Sequence, residues 1–198
     1  MLRFLQRRRE RRSDMNLIDF CYVQDNSLSD SICDDVINLF HSNENLHERL
    51  DLDKRPNFTQ LNFTANVNLN PELHTKILNS TFETLNVYKK KVSETSFWPR
   101  SIGFEQFRIK HYRKQTEDQF EYHADATTKE TSKRFLAFFW YLSDVEIGGE
   151  TEFPTLNIKI SPKKGRVFIF PPLWMYPHKG NISISHDKYL LSSYLHFG

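Results

Sequence analysis

A mainly β fold with helices packed on its outside is what this 198-residue sequence predicts. Three observations point there. Residues 134–142 (RFLAFFWYL) are apolar at both parities, which suits a strand covered on both faces. From Phe104 onward, short β-type segments alternate with Gly, Pro, Asn and Asp, the pattern of a sandwich or barrel. Before the middle of the chain, two segments instead carry apolar residues at helical spacing.

The first helix is signalled by Ser29, a good N-cap, followed by Ile32, Val36, Leu39 and Phe40 on one stripe. Asn70-Pro71 opens a second helix, with Pro at the first helical position and Leu73, Ile77, Leu78, Phe82 and Leu85 behind it. The intervening 43–70 is rich in Asn and Asp and reads as loop, with one strand at 58–67. Strands are then expected at 104–112, 134–142, 151–153, 156–160, 166–170 and 188–197. The helices should cover the outside of the sheet that holds 134–142. With no repeat and no second core, residues 16–198 read as a single domain.

Composition is that of an ordinary globular chain: 38% hydrophobic, 26% charged, net charge +2. No stretch approaches the ~20 apolar residues of a membrane-spanning helix. Cys21 and Cys33 are too few for a disulfide scaffold or a thiolate-zinc cluster and suggest a reduced pair. Residues 1–15 hold six arginines against Glu10 and Asp14. They read as a basic, disordered leader, or as a tail that touches nucleic acid or another anionic surface. No apolar run follows these arginines, so the expectation is a cytoplasmic protein without a secretory signal. A further basic run, Arg108, Lys110, Arg113 and Lys114, is followed at once by Glu117, Asp118 and Glu121. It reads as a solvated face rather than a nucleic-acid groove.

Chemistry concentrates in His123-Ala124-Asp125. On a strand, residues i and i+2 share a face, so imidazole and carboxylate would converge. His178 can supply a third ligand. Two His and one carboxylate leave coordination positions open, the donor set of non-haem Fe(II) oxygenases. Alone, H-x-D fits a surface hydrogen-bonded pair better. Lys188, at the start of the last strand, lies among apolar residues, where an ammonium needs an anionic partner. A dicarboxylate that chelates the metal through a 2-oxo acid group would provide one, with Tyr141 placed to share the distal carboxylate.

The order His123-x-Asp125, Gly148-Gly149-Glu150-Thr151-x-Phe153-Pro154, Lys164-Gly165, Phe170, His178 and Lys188 resembles the 2-oxoglutarate- and Fe(II)-dependent dioxygenases, most of all the prolyl 4-hydroxylase catalytic domain. The resemblance covers roughly 104–197. It implies a double-stranded β-helix, or jelly roll, with helices packed outside. It places iron on His123, Asp125 and His178, and the distal carboxylate of 2-oxoglutarate on Lys188 and Tyr141. Tyr112 and Ser192 fall near cosubstrate-contacting positions, as does Tyr194, where the family often has Trp. O2 would be the co-reactant and ascorbate the reductant that rescues oxidised iron. The implied substrate is a prolyl residue in a peptide or protein. A free amino acid, another side chain or, less readily, a nucleic acid is an alternative. The family commonly has a Gly between the first tyrosine and H-x-D, but residues 113–117 here (RKQTE) contain none. Rivals of another class are a non-catalytic jelly-roll binding or structural domain and a zinc hydrolase on the same set of two histidines and one carboxylate.

Overall fold

The computed structural model describes residues 15–53 and 56–198. The arginine-rich leader and the partner expected for it lie outside the described residues. In chain order the elements are β1 (Tyr22–Gln24), α1 (Asp30–His41), β2 (Glu48–Asp51), β3 (Asn57–Asn62), α2 (Pro71–Lys91), β4 (Ile102–Phe104), β5 (Arg108–Tyr112), β6 (Phe120–His123), β7 (Arg134–Tyr141), β8 (Thr151–Phe153), β9 (Ile158–Ile160), β10 (Val167–Phe170), β11 (His178–Gly180) and β12 (Lys188–Phe197). The larger sheet has eight strands in the order β1-β10-β7-β12-β5-β3-β2, with β4 also on β12; the smaller runs β6-β11-β8-β9. Every strand pair is antiparallel. This is a jelly roll with flanking helices.

The two parities of β7 explain the architecture. Leu136, Phe138 and Trp140 join Cys33, Val36, Leu39 and Phe40 of α1 and Leu73, Ile77 and Leu85 of α2 in one core. Ala137, Phe139 and Tyr141 point the other way and pack with Phe153 of the smaller sheet. Strand β10 splits in the same fashion, Val167 and Ile169 outward to the helices, Phe168 and Phe170 inward between the sheets. Each fully buried large side chain contributes about 1.5–3 kcal/mol, so a strand with no polar face is stable only when both faces are covered.

Both helix starts act as the sequence predicts. Ser29 Oγ accepts from the Ile32 amide, and Asn70 Oδ1 accepts from the Leu73 amide with Pro71 at the first turn. Phe82 departs from the expected stripe. It is half exposed and meets Phe104 edge-on at 5.5 Å at the margin of the core.

The irregular regions differ more from expectation. The strand expected at 58–67 is β3, Asn57–Asn62, followed by a 3-10 helix at Thr64–Leu69. Strand β2, in the stretch that reads as loop, pairs with β3 at the sheet edge. The segment 104–112 is two strands, β4 and β5, that pair with different parts of β12. The 156–160 strand shortens to β9 because Pro154–Leu156 form a 3-10 turn and Asn157 takes a left-handed conformation, φ 54°.

The turn after β5 lacks glycine, yet Gln115 adopts φ 53° there. Buried Asp118 holds that turn. It accepts from the Arg113 amide at 3.0 Å and from Arg113 Nε at 3.0 Å, and pairs with Arg49 at 2.6 Å. These bonds outweigh the effect of burial and keep the carboxyl well below the usual range. Asp118→Ala is expected to cost about 1.5–3 kcal/mol, the worth of charge-assisted bonds to a buried carboxylate. A urea midpoint unchanged from wild type would contradict that role.

Among the described residues no helix is long and apolar enough to cross a membrane.

Candidate metal centre and its pocket

The centre is assembled by strand register. Strands β6 and β11 are antiparallel neighbours in the smaller sheet, and His123 pairs directly with His178. Directly opposed residues project to one face, and the imidazole centroids lie 4.5 Å apart. Asp125 is not on the strand as expected, because β6 ends at His123. The chain beyond is pinned instead. The Arg134 guanidinium donates to the Asp125 carbonyl at 3.1 Å, and the Ala126 amide donates to the Pro172 carbonyl at 3.0 Å. The carboxylate still reaches the imidazoles, Oδ1 at 3.3 Å from His123 Nε2 and Oδ2 at 3.7 Å from His178 Nε2.

Both rings are oriented alike. His123 Nδ1 lies 2.6 Å from the Glu121 carbonyl and His178 Nδ1 lies 3.1 Å from the Tyr176 carbonyl. A carbonyl can only accept, so Nδ1 carries the proton and Nε2 keeps its lone pair toward Asp125. Phe120 stacks on His123 at 3.5 Å, and Phe153 stacks on His178 at 5.0 Å.

Burial draws His178 down to about 4, with Asp125 opposing. Burial acts to raise the Asp125 carboxyl, but His178, His123 and Lys110 together hold it well below its ordinary range. A buried carboxylate oxygen, Asp125 Oδ2, has no hydrogen-bond partner. The donor atoms of His123, Asp125 and His178 all lie within 4.8 Å of one another. Two imidazole lone pairs and an unsatisfied carboxylate oxygen facing one point fit a divalent transition metal.

Beside the three residues runs a narrow pocket lined by Lys110, Tyr112, Phe139, Thr151, Lys188 and Leu190 among others. Lys188 is a buried part of its wall. Its ammonium donates to the Gly149 carbonyl at 3.0 Å and sits over the Tyr112 ring at 4.1 Å. Burial lowers the lysine to about 7, with Glu150 opposing. Gly148 and Gly149 have φ of 78° and 74°. A Cβ at Gly148 would meet the Ile182 carbonyl at 2.3 Å, so the turn that presents the Gly149 carbonyl needs glycine there.

The other residues singled out by sequence fall differently. Tyr112 lines the pocket opposite Lys188, its strand partner. Tyr141 is one layer back, its hydroxyl donating to Thr151 Oγ1 at 2.6 Å, and Thr151 is the residue that faces the pocket. Ser192 is not in this pocket. With Tyr194 it borders a wider groove that opens past His123 and Asp125. This follows from strand geometry: Ser192 is four residues along β12 from Lys188, about 13 Å at ~3.3 Å per residue. Sequence reasoning does not reach Thr151 and Lys110 as site residues. Thr151 is visible in the GGET-x-FP run, whereas Lys110 reads as part of a solvated basic stretch.

Residues 107–196 match the family model of the 2OG-Fe(II) oxygenase superfamily. That segment, a little under half of the chain, is similar to the 2-oxoglutarate- and Fe(II)-dependent oxygenases. Within that class the chain is similar to prolyl 4-hydroxylases. It is 34% identical over 80 residues to a probable prolyl 4-hydroxylase of Arabidopsis thaliana, an overlap of 39% of this chain and 28% of that protein. The chain spans 28% to 36% of the length of the curated relatives it matches. The viral collagen prolyl hydroxylase of Paramecium bursaria Chlorella virus-1, solved as its 2-oxoglutarate complex, superposes with a TM-score of 0.71 at 26% identity. That superposition covers 90% of this chain and 97% of the viral one. A Pseudomonas putida prolyl-4-hydroxylase shares the fold at a TM-score of 0.68 and 12% identity, over 90% of this chain and 92% of that one.

Proposed function

We propose that this protein is a 2-oxoglutarate- and Fe(II)-dependent dioxygenase that hydroxylates a prolyl residue in a peptide or protein. The observation that carries the reading is the unsatisfied Asp125 carboxylate oxygen clustered with two Nε2 atoms, beside a pocket lined by a buried lysine. His123, Asp125 and His178 would hold Fe(II), and Lys188 would bind the distal carboxylate of 2-oxoglutarate. When bound, metal and cosubstrate supply the oxidation, in which O2, 2-oxoglutarate and a C–H bond become succinate, CO2 and C–OH.

The protein's part is positioning. The Glu121 and Tyr176 carbonyls keep each imidazole in the tautomer that ligates. Lys188 supplies the charge for the distal carboxylate, while Tyr112 and Thr151 offer hydroxyls beside it. Tyr141 acts through Thr151, which it orients. Phe139, Phe120 and Leu190 line the rest of the pocket with apolar surface that excludes water. The relatives' names support a prolyl substrate, as does the likeness to a viral collagen prolyl hydroxylase. Ascorbate as a reductant and a cytoplasmic setting complete the reading, the latter in keeping with two unpaired thiols, one of them fully buried.

Cosubstrate binding should depend on pH. Lys188 titrates near 7 and binds a carboxylate as the ammonium. Below that value the charged form is already present; above it, binding must take up a proton. Affinity for 2-oxoglutarate is therefore expected to fall by up to about tenfold per pH unit between pH 7 and 9. Calorimetry in buffers of different ionisation enthalpy would register the proton uptake, and a flat affinity over this range would contradict the role given to Lys188.

The substrate is tested by mass spectrometry. Enzyme, Fe(II), 2-oxoglutarate and ascorbate are incubated with proline-rich peptides, free L-proline and single-stranded oligonucleotides. A gain of one oxygen on proline in the peptides supports the proposal. Oxidation of free proline or a nucleobase, with the peptides untouched, would replace it.

A further inference from the structure

Lys110 has no part in the mechanism above, and its setting is unusual. It projects from β5 to the same face as Tyr112 and is only 8% exposed. Its ammonium lies 5.1 Å from the Phe58 ring centroid and 5.9 Å from that of Phe139. Among the described residues no carboxylate or carbonyl reaches it at hydrogen-bond or ion-pair distance. Asp125 is the carboxylate that acts on it, but without direct contact, and the ring faces supply only part of what a contacting anion would.

Its position is equally specific. Lys110 lines both the narrow pocket that Lys188 lines and a wider groove of about 580 Å³. That volume falls in the ~300–1,000 Å³ range of ligand sites. The groove passes His123 and Asp125 and is bordered by Arg108, Arg134, Ser192 and Tyr194. Arg134 is already neutralised by Glu105 at 2.7 Å. Arg108 is half-buried, and among the described residues its guanidinium meets only the neutral Gln106 side chain, at 3.0 Å.

Charge counting then separates two destinations for Lys110. In the reading above, a divalent metal, a doubly charged cosubstrate, Asp125 and Lys188 sum to zero. The cosubstrate's carboxylates are each accounted for, one by the metal and one by Lys188. Lys110 leaves a surplus positive charge, facing the groove where substrate must approach the metal. Resting on that reading, we propose that Lys110 is a substrate-binding residue that recognises the carboxylate of a Glu or Asp side chain next to the hydroxylated proline, with Arg108 at the rim of the same groove. The preferred substrate is thus an acidic proline-containing segment.

The test measures binding rather than turnover. Three fluorescein-labelled proline-rich octapeptides, identical except for Glu, Gln or Lys after the central proline, are titrated with anaerobic protein loaded with Fe(II) and 2-oxoglutarate. The Glu peptide is expected to bind about 10- to 150-fold more tightly than the Gln peptide, the span of a charge-assisted bond. Lys110→Met should erase that preference, read at saturating 2-oxoglutarate so that a change in cosubstrate affinity does not enter the ratio. Lys110→Gln, which keeps a polar end, serves if the Met variant does not fold. Equal binding of Glu and Gln peptides overturns this proposal alone. A tenfold loss of 2-oxoglutarate affinity in the Lys110 variants with the Glu preference intact also overturns it, and assigns Lys110 to the cosubstrate. Failure of all three peptides to bind overturns it together with the peptide-hydroxylase reading.

Discussion

Replacing Lys188 by Ala is expected to raise the KM for 2-oxoglutarate by roughly 10- to 150-fold while Fe(II) affinity stays within a few-fold of wild type. The magnitude follows from a charge-assisted bond to a carboxylate, worth about 1.5–3 kcal/mol. The separation of the two effects follows from position. Lys188 lines the pocket from β12, whereas the three metal-facing side chains come from β6, the segment after it and β11. The alanine also removes the bond to the Gly149 carbonyl, so a modest drop in thermal stability accompanies the change. Saturating 2-oxoglutarate should recover much of the lost rate. A KM that did not move would show that the buried lysine serves the fold and not the cosubstrate.

The second large effect is expected from Asp125→Ala. Outer-shell partners of metal ligands are commonly worth about 10- to 100-fold in metal affinity, so loss of a ligand should exceed 100-fold and abolish hydroxylation. Collapse of the fold is not the expected cause, because Asp125 lies beyond the end of β6 and its backbone carbonyl, which Arg134 binds, is retained. Thermal melts with and without Fe(II) check this. Wild-type protein gains stability from the metal in proportion to RT ln(1 + [L]/Kd), and the variant should gain none at the same concentration. A variant that kept both turnover and the metal-induced shift would remove Asp125 from the centre.

These sites are legible in the sequence to different degrees, for physical reasons. The run RFLAFFWYL can be placed between two layers because a strand with no polar parity has nowhere else to go, and β7 is buried on both faces. His123, Asp125 and His178 are found through spacing and residue chemistry. Sequence does not show that β6 ends at His123, or that register brings His178 opposite it, because register is a property of the pairing. Strand β2 (ERLD) is invisible, since a short edge strand that buries only Leu50, and that partly, shows no apolar pattern.

Lys110 is the most instructive miss. In sequence it belongs to a basic run with Arg108, Arg113 and Lys114, and such runs are usually solvated. In the fold the run divides. Arg113 turns to Asp118 at the strand end, while Lys110 faces inward on the parity of Tyr112. The turn itself explains why the missing glycine is tolerated. Asp118 bonds hold the backbone, and Gln115 takes the left-handed conformation that glycine would otherwise adopt.

The measurement that bears most directly on the central claim is an anaerobic titration of the protein with Fe(II) and 2-oxoglutarate, followed by visible absorption. A metal-to-ligand charge-transfer band should develop only when both are present, because it requires the 2-oxo acid to chelate iron held by His123, Asp125 and His178. Succinate, which lacks the 2-oxo group, should give no band. Lys188→Ala should shift the titration to higher 2-oxoglutarate, and Asp125→Ala should abolish the band. Tight binding of Zn(II) with no band from Fe(II) and 2-oxoglutarate at any concentration would contradict the account and point to a hydrolytic or non-redox centre instead.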